Sequence, residues 1–343
     1  MKQIILNSPK QFKVGVEKAK DIGIRGDFEN IVICGLGGSA MPGILLQDAF
    51  SEDLKIPVFI HRSYALPAVA LAKVGLASKS LIVCISFSGN TEETLSSYKE
   101  AEEKGFSVIA LTTGGKLAEM AQQNSLPYCL IPNDCLQPRF GTGYLFSALI
   151  KILINSGLLD QKVENKILSL KESLRPATFE KKGQELAKKL MGKTPVVYSS
   201  NNYKSIARIS KIKFNENSKI MAFWNYFPEL NHNEMAGFTK AKNKKQKANS
   251  FYAIILKDTT ENPKIIKRME LTAELIKEAG ADVEIIEMPG KTRLEKMFNT
   301  LLIFDWTSYY LALALGVDPI SVPIVEDFKK RLSKQPGIKK YTG

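Results

Sequence analysis

Histidine is scarce in this 343-residue chain, with only two residues, and tryptophan is as rare. The four cysteines (Cys34, Cys84, Cys129 and Cys135) lie beside apolar residues and form no CxxC pair. They read as reduced core thiols, and neither a disulfide framework nor a structural zinc site is expected. No run of about 18 apolar residues is present, which argues against a spanning helix. The opening residues, MKQIILNSPK, lack the basic-then-apolar layout of a secretory signal. These absences lead to the expectation of a cytoplasmic protein with no membrane partner, no metal and no other cofactor. Hydrophobic residues at 44% and charged residues at 24% fit a globular chain. The length suggests about two domains and a core that needs no staples.

Acids are in deficit. Lys and Arg number 48 against 35 Asp and Glu, a net charge of +13 that invites a nucleic-acid reading. The distribution argues otherwise. Residues 239–250 carry five lysines and no acid, and residues 329–343 carry six Lys and Arg and no acid. One loop and one tail therefore account for most of the excess, and nucleic acid is not expected as a partner.

Short, β-branched apolar runs occur at 31–34, 57–60, 81–85, 107–111 and 128–131. Amphipathic stretches lie between them, such as 92–104, which stops at Gly105 as helices do. Strands apolar on both faces and spaced by helices predict a doubly wound parallel sheet. Residues 151–190 read as helical and charged. Alternation then resumes, with strands at 196–199, 251–256 and 283–286 and helices around 205–217, 263–279, 294–315 and 324–332. The expected architecture is α/β: two doubly wound subdomains, each a mainly parallel sheet flanked by helices. Residues 1–155 would form the first, 156–193 a helical crossover, and 194–343 the second, with a C-terminal helix.

After the first strand come Gly35-Leu36-Gly37-Gly38-Ser39. Glycines there let backbone approach an anion at a helix N-terminus. The spacing is not the dinucleotide GxGxxG, and the second strand ends in His61-Arg62 where that fingerprint needs an acid. The third strand runs into Ser86-Phe87-Ser88-Gly89-Asn90-Thr91-Glu92-Glu93-Thr94. Capping the next helix accounts for one hydroxyl, not three. Gly37, Gly38, Ser39, Ser86, Ser88 and Thr91 are therefore candidates for binding a phosphate monoester.

Other polar clusters stand further along. Asn215-Glu216-Asn217 presents a carboxylate between two amides, although a glutamate on a helix is ordinarily a solvated charge. His232 lies in Asn231-His232-Asn233-Glu234, with a side chain suited to proton transfer near neutrality or simply exposed in a turn. His61 follows an apolar strand and reads as structural. Arg139 follows Pro138 and is a candidate for stabilising an oxyanion, or for an ion pair with a local acid such as Asp134. The aromatic run 222–228 suits an interface between two copies or packing within its own domain.

Gly37-Gly38-Ser39 followed by the Ser86–Thr94 stretch resembles the sugar isomerase (SIS) domain. Pro138-Arg139 with Gly143-Tyr144, the Asn215–Asn217 triplet and the Asn231–Glu234 cluster, in this order over nearly the whole chain, resemble the bifunctional phosphoglucose/phosphomannose isomerases. The resemblance implies two SIS-like subdomains and metal-independent interconversion of glucose 6-phosphate and/or mannose 6-phosphate with fructose 6-phosphate. It implies Glu216 as the catalytic base, Arg139 as stabiliser of an enediolate, and His232 and Lys329 as ring-opening groups, with Lys330 as the rival to Lys329 in register. His232 would come from the partner of a homodimer. Asp318-Pro319-Ile320-Ser321-Val322 departs from the family's commoner threonine-proline pattern. Rival readings are a non-catalytic SIS module that senses a sugar phosphate, and an amino-sugar phosphate isomerase.

Overall fold

The computed structural model describes residues 1–71, 79–134, 137–239 and 250–333. The expectations about Cys135, the lysines of 240–247 and the tail after residue 333 lie outside these residues. Five parallel strands form the first sheet: β1 (Asn30–Cys34), β2 (Val58–His61), β3 (Ser80–Ser86), β4 (Ser107–Thr112) and β5 (Tyr128–Leu130), in the order β2-β1-β3-β4-β5. Every residue of β3 is buried. A strand covered on both faces needs no polar alternation, which is why it reads as an unbroken apolar run. Cys34, Cys84 and Cys129 are free thiols inside this half.

The second sheet has four parallel strands, β6 (Thr194–Ser200), β7 (Phe223–Phe227), β8 (Phe251–Lys257) and β9 (Asp282–Glu287), ordered β7-β6-β8-β9. β7 is the aromatic run considered above as an interface or a packed segment. It is an edge strand paired with β6, exposed at Phe223 and buried at Phe227. Aromatic side chains suit a pleated, half-buried surface. The stretch from 151 to 190 is helical, as expected, in several short pieces.

One apolar core runs through both halves. The helix Thr142–Asn155 is buried nearly all round and Arg293–Ala314 along most of its length, as central helices are. Phe298 lies 4.7 Å from Phe12 and 5.3 Å from Phe146 between ring centroids, linking the N-terminal helix Lys10–Lys18 to both. A reciprocal capping box between Thr292 and Glu295 starts the long helix. Among the described residues no helix is long and apolar enough to cross a membrane.

Strand order reverses between β1 and β3 in the first sheet and between β6 and β8 in the second. Such switch points open crevices at the carboxyl ends of strands.

Candidate active site

At the first switch point, β1 feeds a 3-10 turn, Gly37–Ala40, and then the helix Met41–Ala49. β3 feeds the serine-rich loop and the helix Glu92–Glu103. The Ser39 hydroxyl accepts from the Phe87 N–H at 2.9 Å, pinning one turn to the other. Ser86 and Thr91 hydroxyls are 2.9 Å apart. Thr91 occupies the N-cap position but makes no side-chain cap bond, so its hydroxyl serves the loop instead. Ser88 is exposed, and its hydroxyl accepts from Asn90 N–H at 3.3 Å. Gly89 has φ +69°, and a Cβ there would stand 1.8 Å from the Gly114 carbonyl oxygen. The loop after β4, Thr113-Gly114-Gly115-Lys116, thus packs directly on the serine loop. Sequence reading passed over this loop, although two glycines after a strand were a usable signal. The structure places Gly37, Gly38, Ser39, Ser86, Ser88 and Thr91 on two adjoining turns after β1 and β3.

The first of these turns also meets the turn that carries Arg139. A Cβ on Gly38 would lie 2.6 Å from Pro138 Cβ and 3.0 Å from the Arg139 nitrogen, so only glycine lets the two turns touch. Arg139 is 2% exposed and stacks over Phe140, 4.5 Å from the ring centroid. Its Nη1 donates to Glu216 Oε2 at 3.0 Å and its Nε to Asn217 Oδ1 at 2.6 Å. Nη2 donates to the carbonyls of Pro319 at 3.0 Å and Ile320 at 2.7 Å. A guanidinium has five N–H donors, so among the described residues one, on Nη1, stays uncommitted beside Glu216. Burial draws the Arg139 pKa below its ordinary value, and the Glu216 carboxylate opposes that shift. Asp134, offered above as a partner for Arg139, instead accepts from the Tyr144 hydroxyl at 3.0 Å.

Glu216 sits in a π-helical turn, Phe214–Ser218, that continues the helix Lys204–Lys213. Such turns recur at functional sites. Its side chain is 32% exposed while that of Arg139 is 1% exposed, so the carboxylate is open to a ligand and its cation is fixed. The flanking amides do not orient Glu216 directly. Asn215 donates to Ile220 O, and Asn217 holds Arg139 while donating to Ser308 Oγ at 2.9 Å. Lys219, in the left-handed region at φ +57°, closes the turn. Its Nζ donates to the carbonyls of Glu216, Asn217 and Asp318. Burial, then the Arg139 charge, lowers its pKa. The Asp318 carboxylate accepts backbone N–H bonds from Ile320 and Ser321, which draw its pKa down to about 2. The segment singled out for its departure from the family pattern therefore borders the charged pair. Lys219 carried no sequence signal, and nothing in the sequence pointed to the backbone carbonyls of 319 and 320 as partners of Arg139.

Two candidates stay outside this group. His232 is exposed on the turn Glu229–His232 after β7, with no hydrogen bond to its ring among the described residues. Lys329 is exposed on the helix Pro323–Ser333 and pairs with Glu326 at 3.2 Å. His61 Nε2 lies 3.4 Å from the Tyr64 carbonyl oxygen, a local contact. Among the described residues no group of three or more His, Cys, Asp or Glu is placed to hold a metal ion.

Comparison with known proteins places the chain in a family. The bacterial phosphoglucose isomerase C-terminal SIS domain matches residues 179–332. A bifunctional phosphoglucose/phosphomannose isomerase of Caldicellulosiruptor bescii is 37% identical over 97% of this chain and 99% of its own. The chain belongs to the SIS-domain sugar-isomerase family. The bifunctional enzyme of Thermoplasma acidophilum is 34% identical over 90% of this chain and 91% of its own. A D-glucosamine-6-phosphate 4-epimerase of Sulfolobus acidocaldarius is 31% identical over 88% of this chain and 89% of its own. Among solved structures, tagatose-6-phosphate ketose/aldose isomerase from Escherichia coli superposes with a TM-score of 0.67 at 14% identity, covering 93% of each chain. Both halves thus have the tandem SIS architecture, and the protein is an enzyme of isomerase type.

Proposed function

We propose that this SIS protein interconverts glucose 6-phosphate and/or mannose 6-phosphate with fructose 6-phosphate through a cis-enediolate, with Glu216 as the base and no metal. The observation that carries the reading is the Glu216–Arg139 pair at 3.0 Å, joined to the hydroxyl-lined crevice through Gly38. The phosphate binds to the amides and hydroxyls of Ser39, Ser86, Ser88 and Thr91, a combination suited to a dianion. The open-chain sugar then reaches Glu216. Its carboxylate takes the C2 proton of the aldose, the C–H electrons form the C1–C2 double bond, and the carbonyl electrons move onto O1. The uncommitted Nη1–H of Arg139 stabilises the developing oxyanion. The O2 hydroxyl proton passes to O1, the O2 electrons form the C2 carbonyl, and protonated Glu216 returns its proton to C1, so one group serves both carbon proton transfers.

Ring opening needs a further acid and base. His232 and Lys329 take those roles in this reading, with His232 supplied by the second protomer of a homodimer. Its exposure, with no partner among the described residues of its own chain, supports that assignment. A second reading, an amino-sugar phosphate as substrate, is favoured by the 31% identity to the glucosamine-phosphate epimerase. A coupled assay separates them. Fructose 6-phosphate is expected from glucose 6-phosphate or mannose 6-phosphate, undiminished by a chelator. Turnover of D-glucosamine 6-phosphate alone would replace the first reading by the second.

A further inference from the structure

A cavity of about 270 Å³ shares no lining residue with the serine crevice or the Arg139–Glu216 pair. It lies between the outermost strands of the two sheets, lined by Phe59 and Ile60 of β2 and by Trp224 of β7. The helices Met41–Ala49 and Lys204–Lys213 complete it. Its size falls just below the range usual for drug-sized ligands (about 300–1,000 Å³), so it suits a small metabolite.

The charge of this cavity is out of balance. Arg62, Lys204 and Arg208 all line it, against a single lining carboxylate, Asp48. That carboxylate is buried and already accepts the Ser205 N–H at 2.7 Å. Among the described residues no ion pair reaches any of the three cations. Burial and the facing Arg208 charge draw the Arg62 guanidinium down to about 10, the sign of two like charges held partly out of water. Arg208 lies 5.9 Å from the centre of the Trp224 ring. Ser205 adds a buried hydroxyl beside Asp48. Forked cations suit phosphoryl oxygens, and Trp224 and Phe59 add aromatic surface to the lining.

We infer that this groove is a second ligand site, which binds a small phosphorylated ring compound with its phosphate on Arg62, Arg208 and Lys204 and its ring against Trp224 and Phe59. The inference concerns binding alone and does not depend on the reaction proposed above.

The test titrates the full-length Ser88→Ala protein, in which the serine crevice is weakened, with phenyl phosphate as the probe. Tryptophan fluorescence is the readout. Only two tryptophans are present, and Trp306 is fully buried in the core, so the change reports Trp224. Saturable binding is expected, weakening with salt and tighter than that of inorganic phosphate. Arg62→Ala and Arg208→Ala should each weaken it about tenfold, the loss typical of a charged hydrogen bond. At pH 8, where Asp48 is ionised, Asp48→Asn should tighten it, because the opposing charge is gone. A gain in affinity cannot come from misfolding. The inference is overturned by the absence of saturable binding, by unchanged affinity in both arginine variants, or by an Asp48→Asn protein that binds no more tightly.

Discussion

Arg139 holds more of the proposed site in place than any other side chain. Its four bonds reach a carboxylate, an amide and two backbone carbonyls lying 77 to 181 residues away. Asn217 is its least replaceable neighbour, since it is wholly buried and bonded to both Arg139 and Ser308. In Asn217→Ala the buried Nε–H loses its acceptor, a desolvation cost of about 1–3 kcal/mol. The variant is expected to lose thermal stability and to lose kcat more than KM, because a guanidinium free to swing no longer meets the oxyanion. Stability loss with unchanged kcat would make Asn217 purely structural. Glu216 and Arg139 could each be picked out from their neighbours, but their pairing could not. Nothing in the linear order tells Arg139 to choose Glu216 over Asp134, which is five residues away.

At the scale of elements, the crevice depends on loops that interlock. The left-handed Gly89 lies against Gly114, so Gly89→Ala forces the serine loop and the loop after β4 apart. A rise in KM for the sugar phosphate with a lowered Tm is expected, and substrate affinity left intact would dissociate this loop from the phosphate. The buried strands were legible because both faces are apolar. β7 was not, because its aromatic residues equally fit an interface and its edge position gives no alternation. The π turn at Phe214–Ser218 was hidden for a similar reason, since its sequence continues a helical pattern and only the structure shows the wider winding. The helices Met41–Ala49 and Lys204–Lys213 are tied by Asp48 accepting from Ser205. Burial lifts the Asp48 pKa from its ordinary 3.8 to about 6. The folded state therefore binds this proton more tightly than the unfolded chain. Its ionisation erodes stability as pH rises from about 4 through 6, up to about 3 kcal/mol for a shift of this size. Asp48→Asn should accordingly raise Tm at pH 8, with the gain fading near pH 4. A Tm lowered equally at both values would show that the carboxylate is worth more as an acceptor than it costs as a buried charge.

For the whole molecule, the continuous core means that the two sheets are not independent. One cooperative unfolding transition is expected, followed alike by Trp306 fluorescence and by far-ultraviolet dichroism. Two separated transitions would show that the shared helices do not couple the halves. The single chain also leaves surface uncovered. The helix Pro323–Ser333 exposes Ile324 at 81%, Val325 at 42% and Phe328 at 63%. Together with the His232 ring, which has no hydrogen bond among the described residues, this supports the proposed homodimer with shared sites. Mixing inactive Glu216→Gln with inactive His232→Ala protomers should restore activity, since re-pairing leaves one intact site per heterodimer. Mixtures that exchange subunits and stay inactive would remove the shared site. The tandem architecture was readable from the alternation of strands and helices. The place of His232 and Lys329 in the chemistry was not, because among the described residues neither side chain bonds to Glu216 or Arg139.

The central claim is that Glu216 moves the proton. It is tested most directly by incubating fructose 6-phosphate with wild-type protein and with Glu216→Gln in deuterium oxide, and following the aldose products by proton NMR. Wild type should form glucose 6-phosphate or mannose 6-phosphate carrying deuterium at C2. Glu216→Gln should bind the sugar phosphate but convert it slower by about 100-fold or more, the scale of a lost general base. Aldose formed by Glu216→Gln at near the wild-type rate would contradict the account.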